Sequence, residues 1–155
     1  MHKRLREVDV WDLLRDCSKS LNWLSKQHGL SHMNIKPGNI LKCQKRFKLA
    51  DPFLDTNILQ TQLKNAGSNW EGWNYSAPEL KTFYPLIEGL DMLQSDIYSL
   101  GMCIIENLLA EKYFPREGRA LRLYIQKYIH GYSPLFVKTL MRMVSHDPFK
   151  RPTAE

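Results

Sequence analysis

From Asp9 to about Gln27 the apolar residues Trp11, Leu14, Cys17, Leu21 and Leu24 recur at steps of three and four, which predicts an amphipathic helix. Asp9 reads as its N-cap and Gly29 as its C-terminal stop. The polar faces take Asp12, Arg15, Asp16, Lys19 and Lys26. The pattern then breaks. Leu30 to Gly38 contains Pro37 and Gly38 and reads as a loop, after which Ile40 to Cys43 and Phe47 to Ala50 form two short apolar-rich runs. Joined by Gln44, Lys45 and Arg46, these predict a small hairpin that sets the loops before and after it side by side. Leu54 to Asn74 is polar and irregular; a connection of about twenty residues in a compact domain is usually functional or mobile. Trp70 and Trp73 are expected to pin it to the body.

Tyr75 to Leu80 opens a short helix that tolerates Pro78 in its first turn, and Phe83 to Leu93 is a second loop. Ser95 to Leu109 is apolar on nearly every side, which predicts a helix buried at the centre of the domain. A further helix covers Ala120 to His130 and ends at Gly131. Ser133 as N-cap and Pro134 at the first helical position start another, running to about Ser145. The terminal DPFKRPTAE makes a turn in which Thr153 is placed to cap one more helix. The sum is a mainly helical domain with one small hairpin and no repeats.

Bulk composition adds little to this. A chain of 155 residues, 43% apolar and 25% charged, is an ordinary single globular domain. The net charge of +6 comes without any Lys/Arg run longer than two, so a solvated basic face is favoured and a nucleic-acid role ranks last. Cys17, Cys43 and Cys103 are odd in number and widely spaced, as expected of buried or half-buried thiols in a reduced intracellular, cytoplasmic protein. The five histidines show no metal-ligand spacing. The charged start shows no apolar h-region, so no signal peptide is expected, and the longest apolar stretch, Ile97 to Leu109, falls short of the roughly 20 residues of a membrane span.

The candidate chemistry lies between His32 and Phe53, HMNIKPGNILKCQKRFKLADPF, where polar groups gather on loops flanking the hairpin. Five segments occur in one order: HMNIKPGNIL at 32–41, LADPF at 49–53, YSAPE at 75–79, SDIYSLG at 95–101 and DPFKRP at 147–152. Together they make the chain resemble the C-terminal lobe of a eukaryotic protein kinase of serine/threonine type, over almost its whole length. The resemblance implies Mg-ATP as cofactor. It sets His32 where a histidine packs under the catalytic loop, Lys36 beside the transferred phosphate, and Asn39 and Asp51 at the magnesium ligands. It sets Leu41 under the adenine, Glu79 and Arg151 as an ion pair, and Asp96 as the residue that fixes the loop backbone. Each polar position has a plainer alternative: Lys36 solvated, Asn39 bonded to the loop backbone, Asp51 capping the turn before Pro52.

The departures fall at the chemistry. Asn34 stands where the catalytic aspartate belongs, and an amide cannot take a proton from a substrate hydroxyl. Losing a positioned general base costs about 10²–10⁴-fold in rate. Met33 replaces the arginine that reads a phosphorylated activation loop, and Pro52-Phe53 replaces Phe-Gly. No glycine-rich loop, V-A-I-K lysine or hinge precedes the segment, so the N-lobe is expected to be absent and the chain truncated at both ends. The expectation is therefore a catalytically impaired, pseudokinase-like domain, binding Mg-ATP weakly or not at all and acting through a protein partner or an upstream N-lobe. Two alternatives stand beside it: a kinase fragment that binds Mg-ATP and transfers phosphate only when joined to an N-lobe, and a nucleotide-sensing module.

Overall fold

The computed structural model describes residues 5–53, 71–81, 92–109 and 113–154. The first helix, α1 (Glu7–His28), closes on Gly29 at φ 64°, whose N–H reaches the carbonyls of Leu24 and Ser25. Only a residue at ease in the left-handed region ends a helix this way cheaply. The start differs from the sequence expectation. Arg6 is the N-cap, with no side-chain cap bond, and Asp9 lies inside the first turn, where Arg6 Nε donates to its carboxylate at 2.8 Å. Glu7 accepts from Trp11 Nε1 of its own helix at 3.1 Å, and also from the Ser133 N–H at 2.7 Å and the Ser133 hydroxyl at 2.5 Å.

Pro37–Asn39 forms a single 3-10 turn leading into β1 (Ile40–Cys43), which pairs antiparallel with β2 (Arg46–Leu49) in the register Ile40 to Leu49 and Cys43 to Arg46. The connection is two residues, with Gln44 at φ 56°, so β2 begins one residue earlier than the apolar run suggested. Glu71–Asn74 is another 3-10 turn, followed by α2 (Pro78–Lys81). Trp73 packs with Met33, Phe53, Leu80 and Met92 in a small apolar cluster beneath the loop, whereas Trp70 and the stretches 54–70 and 82–91 lie outside the described residues.

α3 (Met92–Leu109) begins three residues before the expected Ser95 and is buried around most of its circumference, from Leu93 through Leu108. α5 (Pro134–Met143) crosses it closely: a Cβ on Gly101 would meet Val144 Cγ1 at 2.8 Å and Met143 Cβ at 3.1 Å. The absent side chain is what lets the two helices touch. Between them in sequence, α4 (Gly118–Tyr128) ends short of His130, and Gly131 follows at φ 83°. Ser133 caps α5 by accepting from the Phe136 N–H at 3.2 Å. A 3-10 turn at Pro148–Lys150 follows, and Thr153 starts no helix within the described residues.

The core joins Val10, Leu13, Cys17 and Leu21 of α1 to Ile97, Leu100, Met102 and Ile105 of α3, and to Phe136 and Leu140 of α5. Burial pushes the Cys17 thiol up to about 12 and the Cys103 thiol well above its ordinary value, so both are inert fillers; Cys43, against expectation, is exposed. No helix among the described residues is long and apolar enough to cross a membrane.

Candidate functional site

The loop before the hairpin is held from below. Asp96, 1% exposed on α3, accepts from the His32 N–H through Oδ2 and from the Met33 N–H through Oδ1, both at 2.7 Å. Two backbone donors on one buried carboxylate fix two consecutive peptides, which supports Met33 at φ 56°. The His32 carbonyl accepts from Phe53 N–H at 2.8 Å and the Asn39 carbonyl from Ala50 N–H at 3.0 Å, tying the loops on either side of the hairpin together.

Asn34 closes this network. It is 4% exposed, and its side-chain Nδ2 donates to the Asp51 carbonyl at 2.8 Å and to the Asp51 carboxylate at 3.2 Å. The opposite amide orientation would set Oδ1 against two oxygens, so the bonding fixes Asn34 as a donor. Its Oδ1 is buried without a hydrogen-bond partner among the described residues. Asp51 itself is exposed and sits at φ 57°. Asn39 is buried, and its Nδ2 donates to the Asn34 carbonyl at 2.8 Å, the loop-bonding arrangement.

His32 is buried with Nδ1 accepting from the Asn34 N–H at 3.3 Å, which leaves the proton on Nε2, an atom without a hydrogen-bond partner among the described residues. Burial lowers its pKa most strongly, with the Ala50 backbone and the Asp51 charge opposing, so the ring is held neutral. Lys36 is half-buried at the entry to the Pro37–Asn39 turn, and Leu41 is 45% exposed on β1.

Further from the loop, Arg151 donates from Nη1 and Nη2 to the two oxygens of Glu79 at 2.5 and 2.8 Å, and also to the Ser145 and Gln94 carbonyls. Both side chains are nearly inaccessible, 0% and 4%, and Ser95 adds a hydroxyl bond to Glu79 at 2.8 Å. Burial raises the Glu79 pKa, but the Arg151 hydrogen bond and charge, with the Ser95 hydroxyl, outweigh it and leave the carboxyl below its ordinary range.

One contributor was not legible as such. Asp16 reads from sequence as part of a polar face, yet it is buried beneath the hairpin, where it accepts from the Phe47 N–H at 2.9 Å and from Arg46 Nε at 3.1 Å. The Phe47 backbone bond lowers its pKa most, ahead of burial, which opposes. The hairpin covers a second face of α1 that helical periodicity reports as solvent. An acid inside a run whose neighbours alternate with apolar positions was the available signal.

No protein-family profile matches the chain. Curated kinases do. The chain is 30% identical, over 99% of its length, to the membrane-associated tyrosine- and threonine-specific cdc2-inhibitory kinase of Drosophila melanogaster, and covers 28% of that protein. It is 31% identical over 99% of its length to the serine/threonine-protein kinase PAK mbt of Drosophila melanogaster, covering 24% of it. Against the dual specificity mitogen-activated protein kinase kinase 7 of Homo sapiens it is 30% identical over 63% of its length, covering 22% of that protein.

The chain is a protein-kinase-like region. The mainly helical fold with its two-stranded antiparallel sheet is the make-up of a kinase C-lobe fragment, and the region spans about a quarter of the length of these relatives. No group of three or more His, Cys, Asp or Glu residues that could hold a metal ion occurs among the described residues. The Asp51 carboxylate accepts from the Asn34 amide through Oδ2, and Asn39 spends its NH2, not its oxygen, on the loop backbone.

Proposed function

We propose that this kinase-like domain does not transfer phosphate and acts through protein contacts. The observation that carries the reading is the Asn34–Asp51 bond: at the base position stands a group that donates a proton-bearing nitrogen to Asp51. A general base needs an accessible lone pair within reach of the substrate hydroxyl, and the Asn34 oxygen is buried. The neighbouring His32 is buried too, and Asp51 turns its carboxylate to the Asn34 amide. The loops are thus cross-linked by side-chain amides, as a scaffold is, rather than left with acceptors waiting for metal and nucleotide. Glu79, Asp96 and Arg151 serve that scaffold.

The length of the relatives favours a second reading, in which the region binds Mg-ATP once joined to an N-lobe. Lys36, Asn39, Leu41 and Asp51 would then take the nucleotide and the metal, with phosphate supplying the missing metal oxygens. The two readings separate on one experiment. The chain, alone and fused behind the N-lobe of one of these kinases, is incubated with Mg-ATP and a pool of serine, threonine and tyrosine peptides, each beside its Asp51→Ala variant. Silence of the fusion as well as of the chain supports the first reading; transfer by the fusion that disappears with Asp51→Ala overturns it and supports the second.

A further inference from the structure

A groove of about 520 Å³ runs between α1 and the hairpin and reaches His32 at the edge of the loop network. Its floor is apolar, made by Leu24, Phe47, Leu49 and Pro52, and Trp23 forms one wall. Trp23 is 59% exposed, its indole edge-on to the His28 ring at 4.7 Å and otherwise presented to the groove side of α1. An exposed indole beside a concave apolar floor is the kind of side chain that dominates binding energy at interfaces.

Charge decides what fits. Lys19 on α1 and Arg46 and Lys48 on β2 line the groove. Its one lining carboxylate, Asp16, has a side chain only 1% exposed and is spent on the Phe47 N–H, Arg46 and Arg15. Neither Lys19 nor Lys48 is ion-paired among the described residues. The mouth is therefore positive around an apolar floor. A second basic cavity of about 530 Å³, lined by Arg119, Arg122 and Lys150 beside Asp147, carries comparable charge but no Trp, Tyr or Phe side chain.

We propose that the groove between α1 and the hairpin docks an acidic peptide segment carrying one or two large apolar side chains. The proposal rests on the reading that the domain acts through protein contacts, and gives that reading its surface. A nucleic acid fits less well, because it asks for cations along a path and these sit at the rim of an apolar floor. Carboxylates of the segment meet Lys19, Lys48 and Arg46 while its apolar side chains lie against Trp23, Phe47 and Leu49.

The test is fluorescence anisotropy with the whole chain and a fluorescein-labelled octapeptide of glutamates interrupted by two leucines and a tryptophan, beside its counterpart with lysines for glutamates. The glutamate peptide is expected to saturate, with affinity falling as salt rises. Trp23→Ala, and separately the pair Lys19→Glu and Lys48→Glu, are expected to weaken it by about tenfold or more. Arg122→Glu, in the other basic cavity, leaves it unchanged. These side chains are exposed, so the variants keep the fold, as circular dichroism melts will show. Equal binding of the lysine peptide, an unchanged Trp23→Ala, an equal loss in Arg122→Glu, or no saturation overturns the proposal. So does equal competition by a single-stranded oligonucleotide of matched charge. Phosphate transfer is not read here, so failure of the groove leaves catalytic silence standing, and the reverse.

Discussion

Replacing Asn34 by aspartate restores the residue type that a phosphotransferase uses, and the geometry says the domain will resist it. The change keeps the shape of the side chain but swaps its NH2 for oxygen. Two donated hydrogen bonds to Asp51, at 2.8 and 3.2 Å, are lost, worth about 1 kcal/mol each. A second carboxylate then faces the first at about 3 Å, where two like charges repel by about 5 kcal/mol at an effective dielectric of ~20. Because Asp51 is exposed, solvent and salt reduce this to about 2–3 kcal/mol. The sum is a loss of about 4–5 kcal/mol at neutral pH, or about 8–20 °C of melting temperature for a domain of this size. The loss has a pH signature. The new carboxyl is held above its unfolded value of about 3.9, so the penalty is fully present above the raised folded-state value and fades as pH falls toward about 4. Asn34→Ala loses the donors without the repulsion, so its deficit is smaller and nearly flat with pH. Thermal melts of the three proteins from about pH 4 to about pH 8 measure this directly. An Asn34→Asp variant as stable as the parent at every pH refutes the claim that this amide cross-links the loops.

Three further perturbations test the scaffold around the site. Gly101→Ala drives a Cβ into Val144 and Met143, and is expected to cost about 1–3 kcal/mol in a denaturant melt; an unchanged midpoint means α3 and α5 do not meet as described. Glu79→Gln breaks the buried bidentate pair with Arg151 and is expected to cost about 3–5 kcal/mol. Because the Glu79 carboxyl sits below its ordinary range when folded, its contribution is complete above about pH 4.3 and drains away as pH falls through the folded value. The variant should therefore lose much of the parent's acid sensitivity, and an unchanged acid slope counts against the pair. Asp16→Ala strips the acceptor from the Phe47 N–H and Arg46, and is expected to cost about 2 kcal/mol, with faster amide exchange across β1 and β2. Exchange confined to α1 contradicts the assignment of Asp16 to the hairpin.

Much of the fold is readable from the chain because its signals are local. The three-and-four spacing of α1, the all-round apolarity of α3 and the Ser133-Pro134 start of α5 each reflect burial or capping that short stretches specify. The misread details are those in which a distant element changes the meaning of a residue. Asp9 has the chemistry of an N-cap, but Glu7 is bound across 126 residues to Ser133 and the helix begins at it. Asp16 sits on a face that periodicity calls polar, and the hairpin turns that face inward. At the candidate site the residue types stand in the sequence while their orientations do not. That Asn34 is an amide is legible; that its nitrogen points at Asp51 follows only from the position of the Asp51 carbonyl and carboxylate.

The measurement that bears most directly on the account is single-turnover phosphate transfer. Purified chain in excess over γ-labelled Mg-ATP is followed for label in itself and in the peptide pool, beside Asp51→Ala. The account predicts label at the Asp51→Ala background in both, since no accessible acceptor stands at the Asn34 position. Label that accumulates in the parent chain and is abolished by Asp51→Ala contradicts it.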